Sequence, residues 1–190
     1  MNDSPRREGR FTPPSKECPN PDWWTSEDDQ ATEDQVLDGL YGLVRLLQPQ
    51  FVLETGSHLG FGTLRIAQAI DLNGHGTLLS VENDHLLFAE AKKKVKHFPF
   101  VRMRLCDSLE LEIDQPIDFA WFDSGPGWLR YQEFERFFPM MHDRTVVAFH
   151  DTGLQHPEIR ESVQKLMKRR LCDGALLPTP RGIFLGRVKK

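Results

Sequence analysis

Phe51-Val-Leu-Glu-Thr-Gly-Ser-His-Leu-Gly-Phe-Gly-Thr63 is a short apolar run that stops at an acid, crosses a glycine-rich loop and enters an apolar-periodic segment. That order predicts a strand, a tight loop and a helix. Val52 and Leu53 read as part of a strand buried on both faces, as the strands of a parallel sheet are. Gly56, Gly60 and Gly62 permit positive φ and close approach of the backbone to a ligand. The helix predicted over 63–70 opens with unpaired amides facing back over the loop, which favours an anionic group such as a carboxylate or phosphate. A dinucleotide fingerprint would read G-x-G-x-x-G, whereas these glycines fall as G-x-x-x-G-x-G behind the strand-end acid.

The same alternation continues on both sides of this stretch. Upstream, Thr32 and Gln35 have capping-box spacing, and Val36, Leu37, Leu40, Tyr41, Val44 and Leu47 make one apolar face of a helix over 32–48. Downstream, strands are predicted at 77–81, 100–105, 117–122 and 145–149, separated by helices at 84–96 and 128–139. A helix at 157–171 precedes two last strands, 175–177 and 182–188, whose short Pro178-Thr-Pro-Arg181 connection requires an antiparallel hairpin. The expected fold is α/β: a doubly wound, Rossmann-like sheet of seven strands, mostly parallel, with helices on both faces. Its strands end at Glu54, Glu82, Asp107-Ser108, Asp123 and His150-Asp151. Open parallel sheets bind ligands beyond the carboxyl ends of their strands, so these residues are the candidate site. Glu82 follows Gly56 at about the distance where such folds place the carboxylate that holds two ribose hydroxyls.

Composition bounds the rest. A chain of 190 residues with 39% hydrophobic content suits one domain, read here as 31–190, behind a flexible or draped extension at 1–30 that holds five of the thirteen prolines. Trp23 and Trp24 are too much apolar area to leave in water, so both are expected to dock on the domain, by simple packing or as part of a lid. The net charge of −4 and pI near 6.0 argue against nucleic acid as partner. Cys18, Cys106 and Cys172 are few and far apart, indicating neither a disulfide framework nor a zinc site. With no signal-like segment at Met1–Glu8 and no membrane-length apolar run, a cytoplasmic protein without membrane contact is expected. Oligomeric state is not encoded legibly, a homodimer being one option.

Glu54-Thr-Gly-Ser-His-Leu-Gly-Phe-Gly62, Ser80-Val-Glu-Asn83, Cys106-Asp-Ser108, Phe119-Ala-Trp-Phe-Asp123 and Val146-Val-Ala-Phe-His-Asp-Thr152, in this order, resemble the class I S-adenosylmethionine-dependent methyltransferases. The resemblance covers roughly 35–188 and is strongest to the small metal-dependent O-methyltransferases of the catechol and antibiotic-modifying types. It implies that Glu54 and Gly56 contact the methionine part of S-adenosylmethionine. It likewise implies that Ser57 and Gly60 form its cradle, that Glu82 holds the ribose, that Asp107 and Ser108 lie on the adenine side, and that Asp123 sits nearest the reacting methyl. The implied acceptor is a small hydroxylated molecule.

Methyl transfer from a sulfonium needs an acceptor oxygen held in line and deprotonated. A divalent ion would do both. Asp123, His150 and Asp151 end two strands expected to be adjacent, and two carboxylates with one imidazole suit Mg²⁺, with Mn²⁺ or Fe²⁺ admissible. The catechol-type enzymes carry Asp and then Asp-Asn here, and the antibiotic group Asp and then Glu-Asp, so His150 departs from both. The lysine that follows the fourth-strand aspartate in the catechol type is also missing from Asp123-Ser-Gly-Pro-Gly-Trp128, leaving His150 and His156 as candidate bases. Trp121 and Phe122 read as buried strand residues, and Trp128 as a residue at the cleft mouth. A cofactor-binding module without turnover and, at lower rank, an NAD-dependent oxidoreductase are the competing functions.

Overall fold

The structure, a computed structural model, describes residues 11–190. The first ten residues, which include the segment inspected for a signal sequence and the start of the extension, lie outside the described residues.

Seven strands form one sheet: β1 (Phe51–Thr55), β2 (Thr77–Glu82), β3 (Val101–Leu105), β4 (Ile117–Phe122), β5 (Met141–His150), β6 (Cys172–Leu177) and β7 (Ile183–Val188). They lie in the order β3-β2-β1-β4-β5-β7-β6. The first five are parallel, and β7 inserts antiparallel between β5 and β6. The terminal hairpin is therefore present as the short connection requires, with its second strand on the inside. Strand order reverses between β1 and β4, and the crevice beyond that reversal is where such a sheet receives a ligand.

Alternate residues of each strand feed two cores. On one face α1 (Asp34–Leu47) and α2 (Phe61–Asn73) bury Val36, Leu40, Val44, Ile66 and Ile70 against Val52, Leu78, Phe119 and Trp121. On the other, α4 (Leu129–Phe137) and α5 (Pro157–Lys168) bury Phe134, Phe137, Val163 and Leu166 against Leu53, Phe122, Val147 and Phe149. The stacked Phe122 and Phe149 rings, 4.7 Å apart, tie β4 to β5. Fully burying each such side chain contributes about 1.5–3 kcal/mol, which fixes the strand ends that carry the candidate site. Between β2 and β3 runs α3 (His85–Val95), capped by the Asp84 carboxylate on the amides of Leu86 and Leu87. Only a short 3-10 turn, Ser108–Glu110, stands between β3 and β4 on the face of α4. A hollow of about 820 Å³ lined by Leu79, Arg102, Arg104 and Arg136 occupies the space a longer helix would fill. It lies on the sheet face, away from the cluster beyond β4 and β5.

Two expectations near the N-terminus are corrected. The capping box does not form: Glu33 is the N-cap of α1 and makes no side-chain cap bond, Thr32 Oγ1 donates to Asp123 Oδ2 at 2.8 Å, and Gln35 Oε1 accepts from the Thr25 amide. Those side chains are drawn off by stronger partners across the cleft and along the extension. Of the two tryptophans, Trp24 packs against the α1/α2 core while Trp23 stays 74% exposed, because a short 3-10 turn over Pro21–Trp23 points it outward. Other residues of 11–30 also make defined contacts. A bridge joins Phe11 and Ser26, and Glu17 accepts from Arg160 at 2.7 Å and from the Leu154 amide at 3.0 Å.

Candidate active site

A cleft of about 180 Å³ opens where β1 and β4 diverge, lined by Gly56, His58, Glu82, Asp107, Ser108 and Asp123 among others. Glu82, buried at the end of β2, is held by three amides: His58 N donates to Oε2 at 2.7 Å, and Asn83 N and Asp84 N donate to Oε1 at 3.0 Å each. The carboxylate is thus fixed on the cleft wall before any ligand arrives, while a carboxylate has more acceptor sites than these three bonds use. Asp107 accepts from Leu109 N at 2.8 Å and starts the turn that carries Ser108 along the opposite wall.

The glycines work mainly against protein. Gly56 has φ 79°, and a Cβ there would lie 2.6 Å from the carbonyl oxygen of Asp123, so the β1 loop must pass bare beside β4. Gly60, φ 81°, would place a Cβ 2.6 Å from Ala91 Cα; its bareness lets α2 press on α3. Helix packing is thus a reason of its own for a glycine at this position. Ser57, buried beside Gly56, has a hydroxyl with no protein partner. A buried orphan hydroxyl next to a glycine loop is what a polar ligand would satisfy.

Glu54, on β1 just before the loop, is not among the residues lining the cleft, though Asp123 and Glu82 are close enough to act on its charge. Its Oε2 accepts from Thr63 Oγ1 and Ser80 Oγ, both at 2.6 Å. Full burial raises its pKa to about 7, the two hydroxyls only partly offsetting that cost.

Beyond β4 and β5, Asp123, His150 and Asp151 converge as the strand register requires, with one ligand-capable atom from each within 4.8 Å of the others. Every one of these groups already has partners. His150, wholly buried, donates from Nδ1 to Asp123 Oδ1 at 3.0 Å and from Nε2 to Glu33 Oε2 at 2.7 Å. Burial opposes its charged form, yet Asp123, Asp151 and Glu33 outweigh burial and lift its pKa to about 10. An imidazolium with both nitrogens donating has no lone pair for a metal and no capacity to take a proton. Arg130, from the first turn of α4 and 3% exposed, reaches Asp151 Oδ2 at 3.0 Å and Asp123 Oδ1 at 3.3 Å from one nitrogen. Its other nitrogens donate to the carbonyls of Ser124 and His150. Arg181 completes the ring, with Nε on Asp151 Oδ1 at 2.6 Å and its amide on Glu33 Oε1 at 2.9 Å. Burial would raise the Asp151 pKa, but His150 and the two guanidiniums hold it far below the usual range. Three carboxylates thus meet three cations. As arranged, Asp123, His150 and Asp151 do not fit a resident divalent ion.

His156 differs. It is half-buried ahead of α5, its Nε2 3.6 Å from Asp151 Oδ1, and burial, with Arg181 and Arg130 nearby, lowers its pKa despite Asp151. It is neutral near pH 7 and able to accept a proton. Trp128, 52% exposed, stands at the N-cap of α4, where the expected cleft mouth lies.

Arg130, Glu33, Arg181 and Glu133 were not singled out from sequence. Glu133, also on α4 and fully buried, accepts from Thr55 Oγ1 and Ser124 Oγ at 3.0 and 2.8 Å, and burial raises its pKa. A signal existed: Arg130 and Glu133 share a helical face with Phe134 and Phe137, which puts two charges on an apolar stripe.

The comparisons with known proteins agree with this geometry. Residues 53–152 match the family described as "Methyltransferase domain". Among solved structures, the SAH-bound methyltransferase PaMTH1 of Podospora anserina superposes with TM-score 0.75 at 14% identity, over 85% of this chain and 81% of that one. The O-methyltransferase TomG of Streptomyces achromogenes, in complex with SAM, gives 0.69 at 16% over 85% and 83%. An O-methyltransferase of Bacillus cereus in complex with SAH gives 0.69 at 16% over 85% and 84%. The uncharacterized protein y4gI of Sinorhizobium fredii is 27% identical over 135 residues, 63% of this chain, and the chain spans 14% of its length. The chain belongs to the methyltransferase domain family and has the fold of the class I S-adenosylmethionine-dependent methyltransferases.

Proposed function

We propose that the chain transfers a methyl group from S-adenosylmethionine to a hydroxyl of a small molecule. The observation that carries this is the cleft at the strand-order reversal, where a fixed Glu82 carboxylate, Asp107, Ser108 and Asp123 line one space. Glu82 would hold the ribose hydroxyls, Asp107 and Ser108 would border the adenine, and Gly56 with Ser57 would meet the amino-acid end. The bound cofactor supplies an electrophilic methyl on sulfur. Asp123 belongs both to the cleft and to the ionic cluster, so the cluster sets the wall between cofactor and acceptor. His156 is the proposed base: it is partly accessible, its Nε2 lies 3.6 Å from Asp151 Oδ1 and its pKa is lowered, whereas His150 is committed to two carboxylates. Among the described residues no helix is long and apolar enough to cross a membrane, and the three cysteines are free thiols.

A second reading, a module that binds S-adenosylmethionine without turnover, is favoured by Thr32 and Glu33, which cover the acceptor side by bonding Asp123 and His150. One experiment separates the two. The chain is incubated with S-adenosylmethionine and a panel of small phenols and catechols, and acceptor methylation is read by mass spectrometry. Methylated acceptor whose yield falls at least tenfold in His156→Gln supports the first reading; cofactor binding without any methylated product supports the second.

A further inference from the structure

We propose that Arg130 and Arg181, with His150, are the resident cations of this site, so that the chain works without a divalent metal where its metal-dependent relatives would hold one. Arg130, 3% exposed, directs one nitrogen at both carboxylates that an ion would need to bridge. Arg181 takes the second oxygen of Asp151, and His150 spends both ring nitrogens on Asp123 and Glu33. Admitting Mg²⁺ would require expelling a buried guanidinium and breaking one of the two bonds that hold His150 to Asp123 and Glu33, with no compensating anion left over. The N-terminal segment is part of this device. Glu33 supplies the third carboxylate, and Arg181 also donates to the Gln30 carbonyl at 2.8 Å, so the cations lock residues 30–33 over the cluster. Arg130 and Arg181 are positioning residues: Arg130 holds Asp123 at the cleft, and Arg181 holds Asp151 under His156.

The test uses the full chain without cofactor and reads binding of Mn²⁺ alone by the loss of the free-ion electron paramagnetic resonance signal. The wild type is expected to leave that signal unchanged. Arg130→Met exposes two carboxylates to each other and is expected to raise Mn²⁺ affinity by about tenfold or more, as one uncompensated charge a few ångströms away would. Because a buried arginine can be needed for folding, Arg181→Met, which frees one oxygen of Asp151 at a more accessible place, is measured beside it, with circular dichroism confirming the fold. Stoichiometric Mn²⁺ uptake by the wild type overturns the proposal. So does a folded variant that binds no better than wild type, since the arginine would then not stand in a cation's place. The inference rests on the methyltransferase reading only in its kinetic arm, where turnover unchanged by chelator is expected. A chain that transfers no methyl group fails that arm alone and leaves the Mn²⁺ result to decide.

Discussion

Replacing Glu54 by Gln isolates the cost of burying a charge beneath the glycine loop. The Glu54 carboxyl, pushed from 4.5 to about 7 by burial, binds its proton more tightly folded than unfolded. The sign follows: a raised folded pKa makes the native state the better proton binder, so stability is greatest below pH 4.5, falls as pH rises to about 7, and is level above that. A shift of roughly 2.5 units corresponds to about 3 kcal/mol, and because the group is fully buried no discount for solvent screening applies. Gln keeps an oxygen for the hydroxyls of Thr63 and Ser80 but carries no charge at any pH. Relative to wild type, Glu54→Gln should therefore gain about 3 kcal/mol between pH 4.5 and pH 8, or about 6–12 °C in melting temperature for a chain of this size. Paired thermal melts at both pH values, without cofactor, measure the difference while other titrating groups cancel. A gap between variant and wild type that is the same at both pH values, or that shrinks as pH rises, would refute the reasoning.

Three further outcomes are expected. Gly60→Ala forces a side chain into positive φ and against Ala91 of α3, so it should destabilise by about 2–4 kcal/mol in denaturant unfolding while leaving far-ultraviolet circular dichroism native. Trp24→Ser should cost about 1–3 kcal/mol and Trp23→Ser less than about 0.5, since only the first is packed on the core; equal effects would contradict this packing. Glu33→Ala leaves the buried His150 cation short of a partner and should cost about 3–5 kcal/mol at pH 6. The raised His150 pKa makes that loss complete below pH 6.5 and smaller as pH climbs towards 10, where the wild-type imidazolium itself titrates.

The sheet was legible because its signals are local and repeated. The first five apolar runs ended at polar residues, and four of the strands lie within a residue or two of their expected ends. What lay beyond local pattern was misread for one reason: the partner was far away in sequence. Thr32 and Gln35 had the spacing of a capping box, but Asp123, 91 positions on, competes for Thr32. At Gly60 only the fold brings Ala91 close enough to demand a glycine, a constraint no local pattern shows. Asp123, His150 and Asp151 were correctly grouped as strand-end neighbours, yet the cations that neutralise them come from α4, from the turn before β7 and from no shared motif. The charges on the apolar face of α4 were the available clue, since a buried Arg and Glu on one helix stripe require partners of opposite sign.

Calorimetric titration of the chain with S-adenosylmethionine, beside Glu82→Ala, tests the central claim most directly. Each charge-assisted hydrogen bond from ribose to Glu82 is worth about 1.5–3 kcal/mol, so wild-type binding should weaken by about tenfold or more in the variant, with the fold confirmed by circular dichroism. One-to-one binding to the wild type, lost on this scale in Glu82→Ala, is the predicted result. No binding of S-adenosylmethionine by a folded wild type, or equal affinity in a folded Glu82→Ala, would contradict the account.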